Sequence, residues 1–283
     1  FMLSRYEEAV LPERDTHDRF PATASLAYRA GFLHRPVVNE YVELLWTMMT
    51  QLWPALKRRP REFRLLLSHD VDEPFAYARL PTGAVVRRMA GDLAKRRSPG
   101  QAVRTWKGWN AVRRGDLAGD PYNSFDFIMR ESERRGVASA FYFIADHSAG
   151  AIDGRYNLDD PEMVELIRDI SERGHEIGLH TSYNTYKDRD QTVREADRLR
   201  GLLSRVGLTQ HVRGGRQHYL RWATPQTFGN WEAAGMQYDS TLGYADHTGF
   251  RCGTCWEYPA YDVVERRPLQ LVERPLVAME VSV

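Results

Sequence analysis

Apolar positions along the chain recur at two spacings, and the order in which these spacings alternate predicts the architecture. Residues 63–68 are alternately and then continuously apolar and end in His69-Asp70-Val71-Asp72, the pattern of a buried strand with a polar carboxyl end. From Ser124 the pattern becomes regular: a helix over 124–135, a Gly136 stop and a β-branched and aromatic strand over 137–144. Asp160 and Pro161 give a cap and first-turn signal for a helix to Arg173, Gly174 closes it, and 175–180 makes the next strand. A helix over 191–206 with Gly207 leads to a short strand over 211–214, and a helix over 225–234 with Gly235 leads to a strand over 236–239. A final strand is expected over 276–283.

Helix, glycine, strand and polar strand end thus recur four times, which argues for parallel strands joined by helical crossovers. A barrel-like α/β fold is the economical solution, and such folds gather active-site residues at the carboxyl ends of their strands. Residues 1–60 read as an N-terminal extension with a helix over 38–57, and 61–283 as the main domain. Residues 74–120 follow no single period and form a basic, partly helical insertion after the first strand.

Composition narrows the class. With 42% hydrophobic and 27% charged residues the chain has the make-up of a globular protein. Its longest apolar candidate, 41–56, is interrupted by Glu43, Thr47, Thr50 and Gln51, so no membrane span is expected. Nothing after Phe1 and Met2 resembles a secretory signal, and Cys252 and Cys255 form a single CxxC suited to a reducing compartment; the expected location is cytoplasmic. Both thiols are expected to be buried. Net charge is +1, yet Arg87, Arg88, Lys95, Arg96, Arg97, Arg104, Lys107, Arg113 and Arg114 cluster against Asp92 alone. That bias suits an acidic glycan or a membrane surface, with nucleic acid a weaker expectation. Neither a glycine-rich phosphate loop nor a GxSxG elbow is present.

In an extended segment alternate side chains share a face, so Asp70 and Asp72 point the same way while His69 points the other. Two adjacent carboxylates repel unless a cation lets both stay ionised, after which one can ligate and the other act as base. His180 ends another expected strand and is followed by the polar turn Thr181-Ser182-Tyr183-Asn184, a suitable place for a nitrogen ligand to zinc or a similar metal. A DxD alone equally suits a helix cap, and a lone histidine a core position.

The succession LLLSHDVD, SAFYFIADHS and ERGHEIGLHTSYN resembles the polysaccharide deacetylase family, or NodB homology domain. The resemblance runs from about Phe63 to Val283. It implies an α/β fold, a deformed (β/α) barrel, and a hydrolase acting on linear amide C–N bonds: a metal-dependent carbohydrate N-deacetylase of bacterial surface polysaccharide metabolism, its substrate a polysaccharide or a carrier-linked sugar. The resemblance also implies a divalent metal, zinc first, with Asp70 as base, and Asp72, His180 and the position of Asn184 as ligands. Asn184 stands where the family has a second histidine, which leaves the missing donor to Asn184 itself, His218, His247 or a water. RGGRQHYLRW resembles the third motif, in which Arg216 pairs with the base and the Tyr219 backbone N–H meets the oxyanion, with His218 in place of a proline. YDSTLGYADHTGFRCGTC resembles the fourth, with Asp239, Asp246 and His247 as supporting groups. The family's late histidine acid has no counterpart after His247, so the motif falls beyond Val283 or the role passes to His247 or His218. A chain of this kind that binds carbohydrate without turnover is the alternative. Tyr183, Tyr186, Trp222, Tyr244 and Trp256 are candidates for stacking on sugar rings. The oligomeric state is not legible.

Overall fold

The computed structural model describes residues 1–280, which form two compact units: Phe1–Asp70 with Ala140 onward, and Val71–Ser139. Short helices α1 (Tyr6–Val10) and α2 (Leu26–Arg29) precede α3 (Val37–Leu52). Helix α3 stops before the expected Lys57 because Pro54 drives Trp53 out of helical geometry, to φ −133° and ψ 80°.

The first unit is built on a seven-stranded, mostly parallel sheet, so the α/β expectation is met, and among the described residues the strand order shows no barrel closure. Its strands are β1 (Leu67–Val71), β2 (Ser139–Ile144), β3 (Glu176–Thr181), β4 (Gly214–Gln217), β5 (Tyr238–Asp239), β6 (Tyr258–Asp262) and β7 (Arg267–Glu273), in the order β1-β2-β3-β4-β5-β7-β6. The pairs β2–β3, β3–β4, β4–β5 and β5–β7 are parallel and β6–β7 is antiparallel. The β6–β7 hairpin is the main element that apolar periodicity misses, because Pro259 and Pro268 interrupt its strands. Proline is tolerated at a sheet margin, where β6 lies. Residues 276–279 carry no strand, and the rest of the strand expected over 276–283 lies largely outside the described residues.

Two strands are displaced from their expected places. Strand β1 begins at Leu67, leaving Phe63, Leu65 and Leu66 exposed, while β4 occupies Gly214–Gln217, three residues beyond expectation. A Gly-Gly pair ordinarily signals a turn. Here it is a packing requirement: a Cβ on Gly215 would stand 1.7 Å from the Leu179 carbonyl oxygen, and one on Gly214 would enter the Tyr238 ring.

The crossover helices bury their apolar stripes as their sequences predict. In the helix at Pro161–Glu172, Met163, Leu166, Ile167 and Ile170 are buried at i, i+3, i+4 and i+7. Residues 1–70 cluster with the sheet unit. Arg5, Glu7, Glu8 and Arg251 form a buried ion network in which Glu8 receives 2.9 and 2.7 Å bonds from Arg251 and a 2.8 Å bond from Arg5. Burial works against the charge on Glu8, but the two guanidinium groups win and hold its carboxyl below the usual range.

The second unit packs helices Thr82–Ala94 and Pro99–Val112 around Tyr77, Val85, Trp109 and Val112. Asp120 accepts bonds from the backbone N–H groups of Ala76, Tyr77 and Tyr122 at 2.8, 2.7 and 2.9 Å. Most of the basic side chains of this unit lie on its exposed surface. No helix among the described residues is long and apolar enough to cross a membrane.

Candidate functional site

Strand alternation places Ser68 and Asp70 on one face of β1, His180 on β3 and Arg216 on β4, and the parallel register pairs His180 directly with Arg216. Arg216 is 2% exposed and uses all three of its nitrogens: Nη1 on Asp70 Oδ1 at 2.8 Å, Nη2 on Ser68 Oγ at 2.7 Å and Ser240 Oγ at 3.2 Å, and Nε on the Ser240 carbonyl at 2.9 Å. Burial alone would favour the neutral form, yet Asp70 beside it raises the guanidinium pKa. A charge-assisted bond of this kind fixes the rotamer of the carboxylate.

The second oxygen of Asp70 lies 3.9 Å from His180 Nε2. His180 is buried and its Nδ1 meets the Arg216 carbonyl at 2.8 Å, which makes Nδ1 the protonated nitrogen and turns Nε2 toward the carboxylate side. His218, just past β4, is oriented in the same manner by a carboxylate: its Nδ1 is 2.9 Å from Asp153 Oδ1. Asp153 is fully buried and also accepts the backbone N–H groups of Tyr183 at 2.6 Å and Ala149 at 2.7 Å. The two imidazole rings sit 4.9 Å apart, and a ring nitrogen of each lies within 4.8 Å of the other. Imidazoles tied through one nitrogen to a carbonyl or carboxylate are oriented as metal-ligating histidines require. The donor chemistry of this pair therefore fits a divalent metal.

The other residues singled out by sequence are distributed as follows. Asp72 is exposed and belongs to the second unit, two positions after Asp70. Asn184 is exposed with both ends of its amide engaged: Nδ2 donates to the Ser148 carbonyl at 3.1 Å, and Oδ1 accepts from Arg221 at 3.4 Å. Tyr219 and Leu220 both adopt left-handed backbone, φ 60° and 55°, in a tight turn after β4. His247 packs edge-on against Tyr28, 5.2 Å between centroids, with Nδ1 3.2 Å from Asp246. Its contacts are with this N-terminal residue and its own neighbour. His69 stacks at 5.0 Å on Phe141, on the face opposite Asp70, as the alternation predicts.

Of the CxxC, Cys252 is buried and burial pushes its thiol up to about 12, whereas Cys255 is exposed, contrary to the expectation of two buried thiols. Of the aromatics proposed for sugar stacking, Tyr186, Trp222 and Tyr244 are buried, which leaves Tyr183 and Trp256 accessible.

Behind Arg216, on the other face of the sheet, Asp239 and Glu273 are register partners on β5 and β7. Both are fully buried, and Asp239 Oδ2 and Glu273 Oε2 have no hydrogen-bond partner among the described residues. Burial raises Asp239 to about 7 despite its bonds from Thr241, and raises Glu273 well above its ordinary value, with the Asp239 charge adding to the effect.

Asp153, Ser68 and Ser240 carry no sequence signal of their own, because each is brought to the site by a loop or a neighbouring strand. His218 does have one: it lies two residues after Arg216, at the spacing that keeps alternate side chains on one face.

Fold and site together define an α/β protein with an arginine-held carboxylate beside two oriented histidines. A model for a family of unknown function (DUF7033) matches residues 1–54. No curated protein matches the chain. A solved structure described as a "putative polysaccharide deacetylase from Mycobacterium smegmatis" is similar to it at 19% identity and a TM-score of 0.41, over 75% of this chain and 57% of that one. The chain therefore spans less than two thirds of that neighbour's length.

Proposed function

We propose that this chain hydrolyses an acetamido group on a carbohydrate, releasing acetate and a free amine, with a divalent metal, zinc first, held by Asp72, His180 and His218. The observation that carries the reading is Asp70 held by Arg216 beside His180 and His218, each imidazole tied through Nδ1. The motif order LLLSHDVD to GHEIGLHTSYN supports it and supplies Asp72 as the carboxylate ligand, and a ring nitrogen of His180 lies within 4.8 Å of one of His218. His218 is preferred to Asn184 because its ring neighbours that of His180 and is oriented by Asp153, whereas the Asn184 amide is engaged at both ends.

A metal in this set supplies Lewis acidity toward the amide carbonyl and a more acidic water. Asp70, held in one rotamer by Arg216, takes the proton of the attacking water. The left-handed turn presents the Tyr219 N–H as a fixed donor to the developing oxyanion. The same Asp70 carboxyl then returns its proton to the departing nitrogen, while His247 stays with Tyr28 and Asp246.

The test is acetate release from N-acetylglucosamine oligomers by zinc-loaded protein. Asp70→Asn is expected to reduce turnover by at least about a hundredfold with zinc content retained. Full activity in that variant overturns the assignment. Tight binding of the oligomers without acetate release would instead support the carbohydrate-binding alternative.

A further inference from the structure

Residues 15–19 of the N-terminal segment fold into a closed loop. Asp15 accepts the backbone N–H groups of His17 and Arg19 at 2.8 and 2.9 Å and the Arg19 side chain at 2.7 Å. This loop is fastened to the turn that carries the candidate site. Arg19 donates to the Tyr219 carbonyl at 3.1 Å, Arg221 donates to the His17 carbonyl at 2.8 Å, and Asp18 accepts from Lys187 at 2.7 Å. His17 Nδ1 meets the Tyr183 hydroxyl at 2.9 Å, and its ring lies 4.7 Å from that of Tyr219.

The rings form a continuous wall. His180 adjoins His218 at 4.9 Å, His218 adjoins Tyr219 at 4.8 Å, and Tyr219 adjoins Tyr183 at 5.3 Å and His17 at 4.7 Å. Burial falls along it, from 1% exposure at His180 and 3% at His218 to 37% at Tyr219. The end nearest the two histidines is closed, and the end nearest the N-terminal loop is open. Tyr219 reaches this position at the cost of a left-handed backbone, about 1–3 kcal/mol for a non-glycine residue. Such a conformation persists where surrounding contacts over-determine it, and those contacts include His17 and Arg19.

Arg221 covers one side of the Tyr183 ring at 3.9 Å, so the accessible aromatic surface is chiefly that of Tyr219 with the edges of Tyr183 and His17 beside it. This surface suits a pyranose ring, which offers C–H groups to the ring and hydroxyls to its rim. We propose that His17, Tyr183 and Tyr219 form a stacking subsite for the sugar that adjoins the acetylated one, so the N-terminal segment supplies part of the substrate-binding surface. The subsite rests on the hydrolase reading for its position next to the reacting group. Its ligand class is an oligosaccharide of N-acetylated hexosamine, not a monosaccharide.

The experiment compares chitotetraose with free N-acetylglucosamine on the zinc-loaded full chain, following acetate release and, by calorimetry, binding. Two variants are used: His17→Ala and Tyr183→Ala, each of which removes one ring of the wall and leaves the Tyr219 backbone N–H in place. Each is expected to raise KM for the tetramer about tenfold, with kcat falling less than about threefold and KM for the monosaccharide unmoved. Tyr183→Phe keeps the ring but releases His17 and should raise KM about threefold.

Wild-type acetate release with unchanged tetramer KM in both variants overturns the subsite and leaves the hydrolase reading intact. Tetramer binding without acetate release, weakened by Tyr183→Ala, keeps the subsite and removes the hydrolase reading. A wild-type protein that neither binds nor cleaves the tetramer overturns the proposal.

Discussion

Arg216 Nη1 donates to Asp70 Oδ1 over 2.8 Å while Nε and Nη2 of the same guanidinium are taken by Ser68 and Ser240. The arginine has one geometry and imposes one on the carboxylate. Arg216→Lys keeps the charge but loses the planar fork. Acetate release is expected to fall by about two orders of magnitude, through loss of orientation. Arg216→Ala removes the charge from a buried pair and should also cost about 3–5 kcal/mol of stability, read by urea unfolding.

Metal affinity separates His218 from Asn184. Zinc titration against a competing chelator should show stoichiometric binding lost in His218→Ala and unchanged in Asn184→Ala. Asp153→Asn, which weakens the acceptor holding His218 Nδ1, should reduce affinity about 10–100-fold. Equal loss in the His218 and Asn184 variants would return the ligand assignment to the original motif position.

The Asp239–Glu273 pair should give folding a pH dependence of definite sign. Both carboxyls are raised above their unfolded values, Asp239 to about 7, so the stability they contribute is fully present below about pH 4 and is lost as pH rises toward and through 7. Unfolding free energy is expected to fall by up to about 1.4 kcal/mol per pH unit between pH 5 and 7. Glu273→Gln, which cannot ionise, should flatten this slope. A slope unchanged in that variant would place the proton elsewhere.

Glu8 ties the N-terminal helix to the loop after β5 through Arg5 and Arg251. Glu8→Gln leaves two buried guanidinium groups short of an anion and should destabilise the sheet unit by about 3–5 kcal/mol. Chemical denaturation followed by tryptophan fluorescence measures this. A loss below about 1 kcal/mol would mean the network relaxes into water.

Gly215→Ala should prevent β3 and β4 from pairing, because its Cβ would stand 1.7 Å from the Leu179 carbonyl. The expected cost exceeds about 4 kcal/mol, visible as insoluble or unfolded protein.

By itself the sequence determined the recurring helix-glycine-strand units, because an amphipathic stripe at i, i+3, i+4 and i+7 or a short β-branched run is a local property. Its motifs also singled out Asp70 and Arg216 as candidates, and alternation set His69 and Asp70 facing opposite ways, since strand geometry is local. Tertiary structure decided what pairing and burial control. It moved β1 and β4 along the chain to meet their neighbours, and it turned a Gly-Gly that reads as a turn into a strand where no side chain fits. It added a proline-containing hairpin that only a sheet margin tolerates. It set His218 beside His180 through strand register, oriented it with Asp153 from a distant loop, and folded residues 15–19 against Tyr219. None of these has a local signature, because each contact joins segments far apart in the chain whose proximity the backbone pattern does not specify.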